Sequence, residues 1–149
     1  MKLAAESQQL IEAFLRERFR LATLKLPPVF IYHGGVAHFL TKTFHIGAIT
    51  FGRHIFVAPK LLTRDGDGKL CVPGWLIAHE STHVLQYQRE GFIGFLISYL
   101  KGYWRALRME KSWNGEARMK AYLAIKEECD ARESETAYAV WVVTFHRHP

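Results

Sequence analysis

Leu76-Ile77-Ala78-His79-Glu80-Ser81-Thr82-His83-Val84-Leu85-Gln86 organises the reading of the whole chain. No Pro or Gly interrupts residues 75–89, whereas Pro73-Gly74 stands before them and Gly91 after. Leu76, Ile77, Val84 and Leu85 recur at helical spacing, so the segment predicts a buried helix. Residues four apart share one helix face, so the imidazoles of His79 and His83 can reach one metal ion. Glu80 stands beside the first imidazole, within reach of a water at that ion. The pattern reads as two zinc ligands and a general base. Two histidines and a glutamate on a largely apolar helix also need a reason to be buried.

A catalytic zinc usually takes three protein ligands plus water, so one more is needed. A histidine soon after a glycine is excluded, because His83 runs into Val84-Leu85-Gln86-Tyr87-Gln88-Arg89. The candidates are later acids: Glu116, Glu127, Glu128, Asp130, Glu133 and Glu135. Glu128 is the expected ligand, since the small Ala131 three positions on lets its helix approach the motif helix closely. Glu135 lies about two turns further along nearly the same face. It is the alternative ligand, or the group that orients a ligand histidine. The remaining acids read as a solvated face. Gln86 shares a side with His83 and is expected either to bond near the site or to make an ordinary surface contact.

The chain has 149 residues, which suits one domain spanning 1–149 with one core. Its hydrophobic content of 49% and aromatic content of 13% fit a packed globular protein and exclude a disordered one. Cys71 and Cys129 make no disulfide framework, so a reducing, cytoplasmic setting is expected, with both cysteines acting as small hydrophobes. Charged residues interrupt residues 1–20, so no signal peptide is expected, and no apolar run is long enough to span a bilayer. Net charge is +6, concentrated partly in Lys101, Arg105, Arg108, Lys111, Arg118 and Lys120. A solvated helix face explains this best. Nucleic acid is not an expected partner, because no zinc-finger, helix-turn-helix or RNA-binding signature accompanies the charge.

The order of elements predicts an α+β fold. An amphipathic helix over 3–19 opens the chain, and Val29-Phe30-Ile31-Tyr32 reads as a strand before a Gly34-Gly35 turn. Residues 46–51 and 55–57 read as strands around Gly52, and Asp65-Gly66-Asp67-Gly68 as a turn. The motif helix follows, then an apolar helix over 92–107, a break at Trp113-Asn114-Gly115, and helix over 116–145 in one or two pieces. The expectation is a small, mostly antiparallel sheet packed on a helical bundle that carries the active-site helix.

Three pieces resemble the minimal gluzincin-like metallopeptidase domains of bacteria. They are Ala48-Ile49-Thr50-Phe51-Gly52-Arg53-His54-Ile55-Phe56-Val57, the extended motif Leu76–Gln86, and Glu128 with Ala131. Together they span about residues 46–135. The resemblance implies a zincin-like fold, with His79, His83 and Glu128 as Zn2+ ligands and Glu80 as catalytic base. The chain departs from the pattern after Arg89, where an apolar aromatic helix and a basic stretch follow. Nothing resembles the large second domain that forms one cleft wall in larger gluzincin peptidases.

The expected activity is therefore hydrolysis of peptide bonds in a peptide or protein substrate, with Glu80 passing a proton from water to the leaving amine. An exposed edge strand over 49–57 is expected to take the substrate backbone. Tyr122, Tyr138, His45 and His54 are the candidates to stabilise the oxyanion. The alternative is a non-enzymatic zinc module that binds a partner or a membrane surface through residues 92–111, where apolar residues run directly into basic ones. For that helix a plain core role is the favoured expectation.

Overall fold

The computed structural model describes residues 1–44, 46–64, 66, 68 and 70–145, with the backbone alone at 44. Helix α1 (Ala5–Phe19) buries Ile11, Phe14 and Leu15 on one stripe and ends at Arg20, which takes the left-handed conformation. It starts two residues later than expected, because Lys2 bridges Phe30 and the Leu3 amide donates to the Val29 carbonyl.

Strand β1 (Phe30–Tyr32) is followed by α2 (Gly35–Phe44), a helix that sequence analysis did not anticipate. The expected turn shrinks to Gly34, which has positive φ, while Gly35 already begins the helix. Strands β2 (Ala48–Phe51) and β3 (His54–Val57) form an antiparallel hairpin with register Phe51↔His54. Its two-residue loop is Gly52-Arg53, and Gly52 supplies the positive φ of 60° that such a tight turn requires. β3 also pairs with β1 in parallel, so the strand order is β1-β3-β2. This corrects one expectation. Residues 54–57 are central, and β2 is the edge strand nearest the motif helix.

A short 3-10 turn (Pro59–Leu61) leads to the ribbon of β4 (Thr63–Arg64) and β5 (Leu70–Cys71). Of the expected turn between them, Gly66 and Gly68 are described; Asp65 and Asp67 lie outside the described residues. Four further helices follow: α3 (Gly74–Glu90), α4 (Phe92–Met109), α5 (Gly115–Leu123) and α6 (Lys126–Phe145). Gly74 has no room for a side chain, since a Cβ there would stand 2.7 Å from Tyr138 Cε1. Gly91, with φ of 73°, redirects the chain between α3 and α4. Asn114 caps α5, its Oδ1 accepting from the Ala117 amide at 2.8 Å.

The architecture is α+β. Helix α3 lies at the centre and packs most extensively against α6, with α1, α4 and β2 also against it. Its middle is buried from Glu80 through Tyr87. The main core joins α1, β1, β3, α3 and α6 through Phe14, Leu15, Ile31, Ile55, Ile77 and Tyr138. Ala131, fully buried on α6, carries no bulk to hold α6 away from α3. No described helix is long and apolar enough to cross a membrane.

Helix α4 departs from the expectation of a core helix. Only Phe95 and Leu107 are buried, whereas Phe92, Ile93, Ile97, Leu100, Trp104 and Met109 are exposed.

Candidate metal centre

Helix α3 presents His79 and His83 one turn apart, and α6 brings Glu128 across to meet them. Glu128 Oε2 lies 3.7 Å from His79 Nε2, and its Oε1 lies 3.5 Å from His83 Nε2. One donor atom from each of the three residues falls within 4.8 Å of the other two. Donors about 2.0–2.2 Å from a tetrahedral zinc stand a little over 3 Å apart, so this set has the chemistry and nearly the spacing of a zinc site.

The outer nitrogens of both imidazoles are occupied. His79 Nδ1 is 3.3 Å from Glu135 Oε2, and His83 Nδ1 is 2.8 Å from Gln86 Oε1. Both oxygens are acceptors, so each Nδ1 carries a proton, and Nε2 is the ring atom that each imidazole turns toward Glu128. Gln86 is itself held, because its Nε2 donates to the Glu127 carbonyl at 3.2 Å.

Glu128 is 4% exposed and receives two hydroxyls. Tyr99, from α4, donates to Oε1 at 2.8 Å, and Tyr122, from α5, donates to Oε2 at 2.8 Å. Burial pushes the carboxyl pKa up, but the adjacent imidazoles of His79 and His83 and the two hydroxyls outweigh it and hold the value at about 2. For His79, burial pulls the pKa down, yet Glu128, Glu80 and Glu135 together raise it above its ordinary value. Burial beside the same carboxylate pushes both Tyr99 and Tyr122 far above the usual phenol range, so both remain donors.

Glu80 is buried on α3 and accepts from Thr50 Oγ1 at 2.7 Å. Thr50 lies on the edge strand, so this bond ties β2 to the motif helix. Between them opens a cleft of about 130 Å³. Ile49 and Phe51 of β2 line one side, Phe95 and Tyr99 of α4 another, with His79, Glu80, His83 and Glu128 at the base.

The other expected acids have separate occupations. Glu127 accepts from Ser98, Asp130 pairs with Lys126, Glu133 with Arg18, and Glu116 with Lys120. Of the oxyanion candidates among the described residues, only Tyr122 lines the cleft. Tyr138 packs in the core edge-on to Phe14, His54 meets the Tyr32 hydroxyl on the sheet, and His45 lies outside the described residues. Thr50 and Tyr99 carry site contacts that sequence analysis did not assign.

A family model described as eCIS core domain matches residues 6–91, more than half of the chain. The chain belongs to the eCIS core domain family. That family comprises metallopeptidase-like domains associated with extracellular contractile injection systems. The eCIS core match runs from α1 to the end of α3 and contains Thr50, His79, Glu80 and His83. It stops before α4, α5 and α6, which bring Tyr99, Tyr122 and Glu128. No curated protein and no solved structure matches the chain.

Proposed function

We propose that the chain is a zinc-dependent metallopeptidase of gluzincin type, with His79, His83 and Glu128 as ligands and Glu80 as general base. The observation that carries this reading is the convergence of three donor atoms within 4.8 Å beside a buried glutamate tied to an edge strand. The donor set among the described residues numbers three. Catalytic zinc sites use three protein donors and keep a position open, whereas structural sites use four.

A bound zinc supplies Lewis acidity and makes a water acidic enough to lose its proton near neutral pH. Glu80 takes that proton and returns it to the leaving amine. Thr50 holds one Glu80 oxygen so that the carboxylate keeps a fixed orientation. Glu135 and Gln86 keep both imidazoles in the tautomer that offers Nε2 inward, and Tyr99 and Tyr122 hold the Glu128 carboxylate ionised. β2 is the edge strand at the cleft, and a peptide backbone extends it by strand addition. The apolar walls favour apolar side chains beside the scissile bond. The family description supports a setting for this activity, namely association with a contractile injection system.

The test is metal content and peptide-library cleavage for wild type, His79→Ala, Glu128→Ala and Glu80→Gln. About one zinc per chain is expected in wild type and a loss in the two ligand variants. Glu80→Gln is expected to keep the metal and to lose about 10²–10⁴-fold in cleavage rate. Wild type without metal after reconstitution, or Glu80→Gln cleaving at the wild-type rate, refutes the proposal.

A further inference from the structure

Helix α4 carries two opposed faces. Phe95 and Tyr99 face the cleft, whereas Ile93, Ile97, Leu100 and Trp104 form an outward stripe at helical spacing, 72%, 47%, 53% and 47% exposed. Lys101, Arg105 and Arg108 run along one side of that stripe, all exposed. The sequence of α4, FIGFLISYLKGYWRALRM, contains no Asp or Glu. Trp113 extends the patch just beyond the helix, its ring 5.9 Å from that of Trp104, and is itself exposed.

We propose that this face docks on an anionic lipid surface, with α4 lying in the plane of the interface. Two features select that occupant. An apolar stripe edged by Lys and Arg is the pattern of a helix that seats its apolar residues at the acyl boundary and leaves its cations among the headgroups. Trp104 and Trp113 have the amphipathic rings that favour the same depth. A second copy of the chain fits less well, because α4 would bring its cations to a face with no carboxylate of its own. The proposal stands apart from the catalytic reading, since docking requires no turnover. Its consequence is spatial: the helix that walls the cleft with one face rests on the membrane with the other.

Flotation of the full, zinc-supplemented chain with vesicles of phosphatidylcholine, alone or mixed with phosphatidylglycerol, tests the proposal. Binding is expected on the anionic vesicles only. Each neutralisation among Lys101→Gln, Arg105→Gln and Arg108→Gln is expected to weaken it about fivefold. Raising salt from about 0.1 M to about 1 M shortens the screening length from about 10 Å to about 3 Å and is expected to release the chain. Ile97→Glu is expected to abolish binding while circular dichroism and metal content stay unchanged; the three neutralising variants report independently should it misfold. No binding to anionic vesicles overturns the proposal, as does binding that all four variants leave intact. A dimer that Ile97→Glu dissolves, without vesicle binding, assigns the face to a second copy instead.

Discussion

Replacing Tyr99 with Phe removes a single oxygen and tests how the centre holds its carboxylate. In wild type the Tyr99 hydroxyl donates to Glu128 Oε1 at 2.8 Å, while Tyr122 serves Oε2. Glu128 is 4% exposed, so water cannot readily replace the lost donor. A hydrogen bond to a buried charge contributes about 1.5–3 kcal/mol, and the metal-stripped variant is expected to lose that much stability. At about 2–4 °C per kcal/mol for a chain of this size, Tm falls by about 3–12 °C. The acid range gives a second readout. Glu128 sits at about 2 when folded, against an ordinary 4.5. A depressed folded pKa adds stability above the unfolded value, and that stability is lost as pH falls from about 5 toward about 2. At 1.36 kcal/mol per pH unit, the gap corresponds to about 3 kcal/mol. Part of it is the contact with His79, so the share of that residue's raised pKa that comes from Glu128 is the same interaction and is not counted twice. In Tyr99→Phe the carboxyl moves back toward its ordinary value, so less stability is lost in acid and the loss is complete at a higher pH. Urea unfolding of metal-stripped protein across the acid range, followed by circular dichroism, measures both quantities. Equal Tm and an identical acid profile in the variant would refute the claim that this hydroxyl holds Glu128.

The outer partners of the histidines are expected to tune metal affinity without being ligands. Gln86→Ala and Glu135→Gln should each weaken zinc binding about 10–100-fold, measured by competition with a chelating dye, while retaining one site. Zinc binding is expected to release a proton, because the metal-free His79 is protonated to a higher pH than an ordinary imidazole and must lose that proton to bind. Affinity should therefore fall as pH drops, beginning above about 6.5, and calorimetry in buffers of different ionisation enthalpy should register the proton. A buffer-independent heat would count against it. Gly74→Ala is expected to cost about 1–3 kcal/mol, because the new methyl meets the buried Tyr138 ring at 2.7 Å. Unchanged unfolding would show that the ring yields freely.

The motif helix was legible because its signal is local. Four-residue spacing places His79 and His83 together on any helix, and Pro73, Gly74 and Gly91 mark its ends. The α+β class and the break at Asn114 followed from similarly short-range cues. The α2 helix was missed, because Gly34-Gly35 reads as a turn when only Gly34 makes one. The role of α4 was misjudged for a related reason: an apolar run says that a helix wants burial, not whether a neighbour covers it.

By itself the sequence determined the residue types on α3, two imidazoles and a carboxylate, and pointed to Glu128 among the later acids, with Glu135 as the alternative. Tertiary structure decided which acids stand beside the two imidazoles. Packing of α6 on α3 sets Glu128 against both Nε2 atoms and Glu135 against the outer nitrogen of His79. Docking of β2, α4 and α5 adds Thr50, Tyr99 and Tyr122, residues 30 or fewer positions from their partners in sequence but fixed only by contact. Periodicity constrains neighbours one turn apart, whereas a carboxylate 45 residues beyond a histidine is positioned by the burial of intervening helices, which no local pattern encodes.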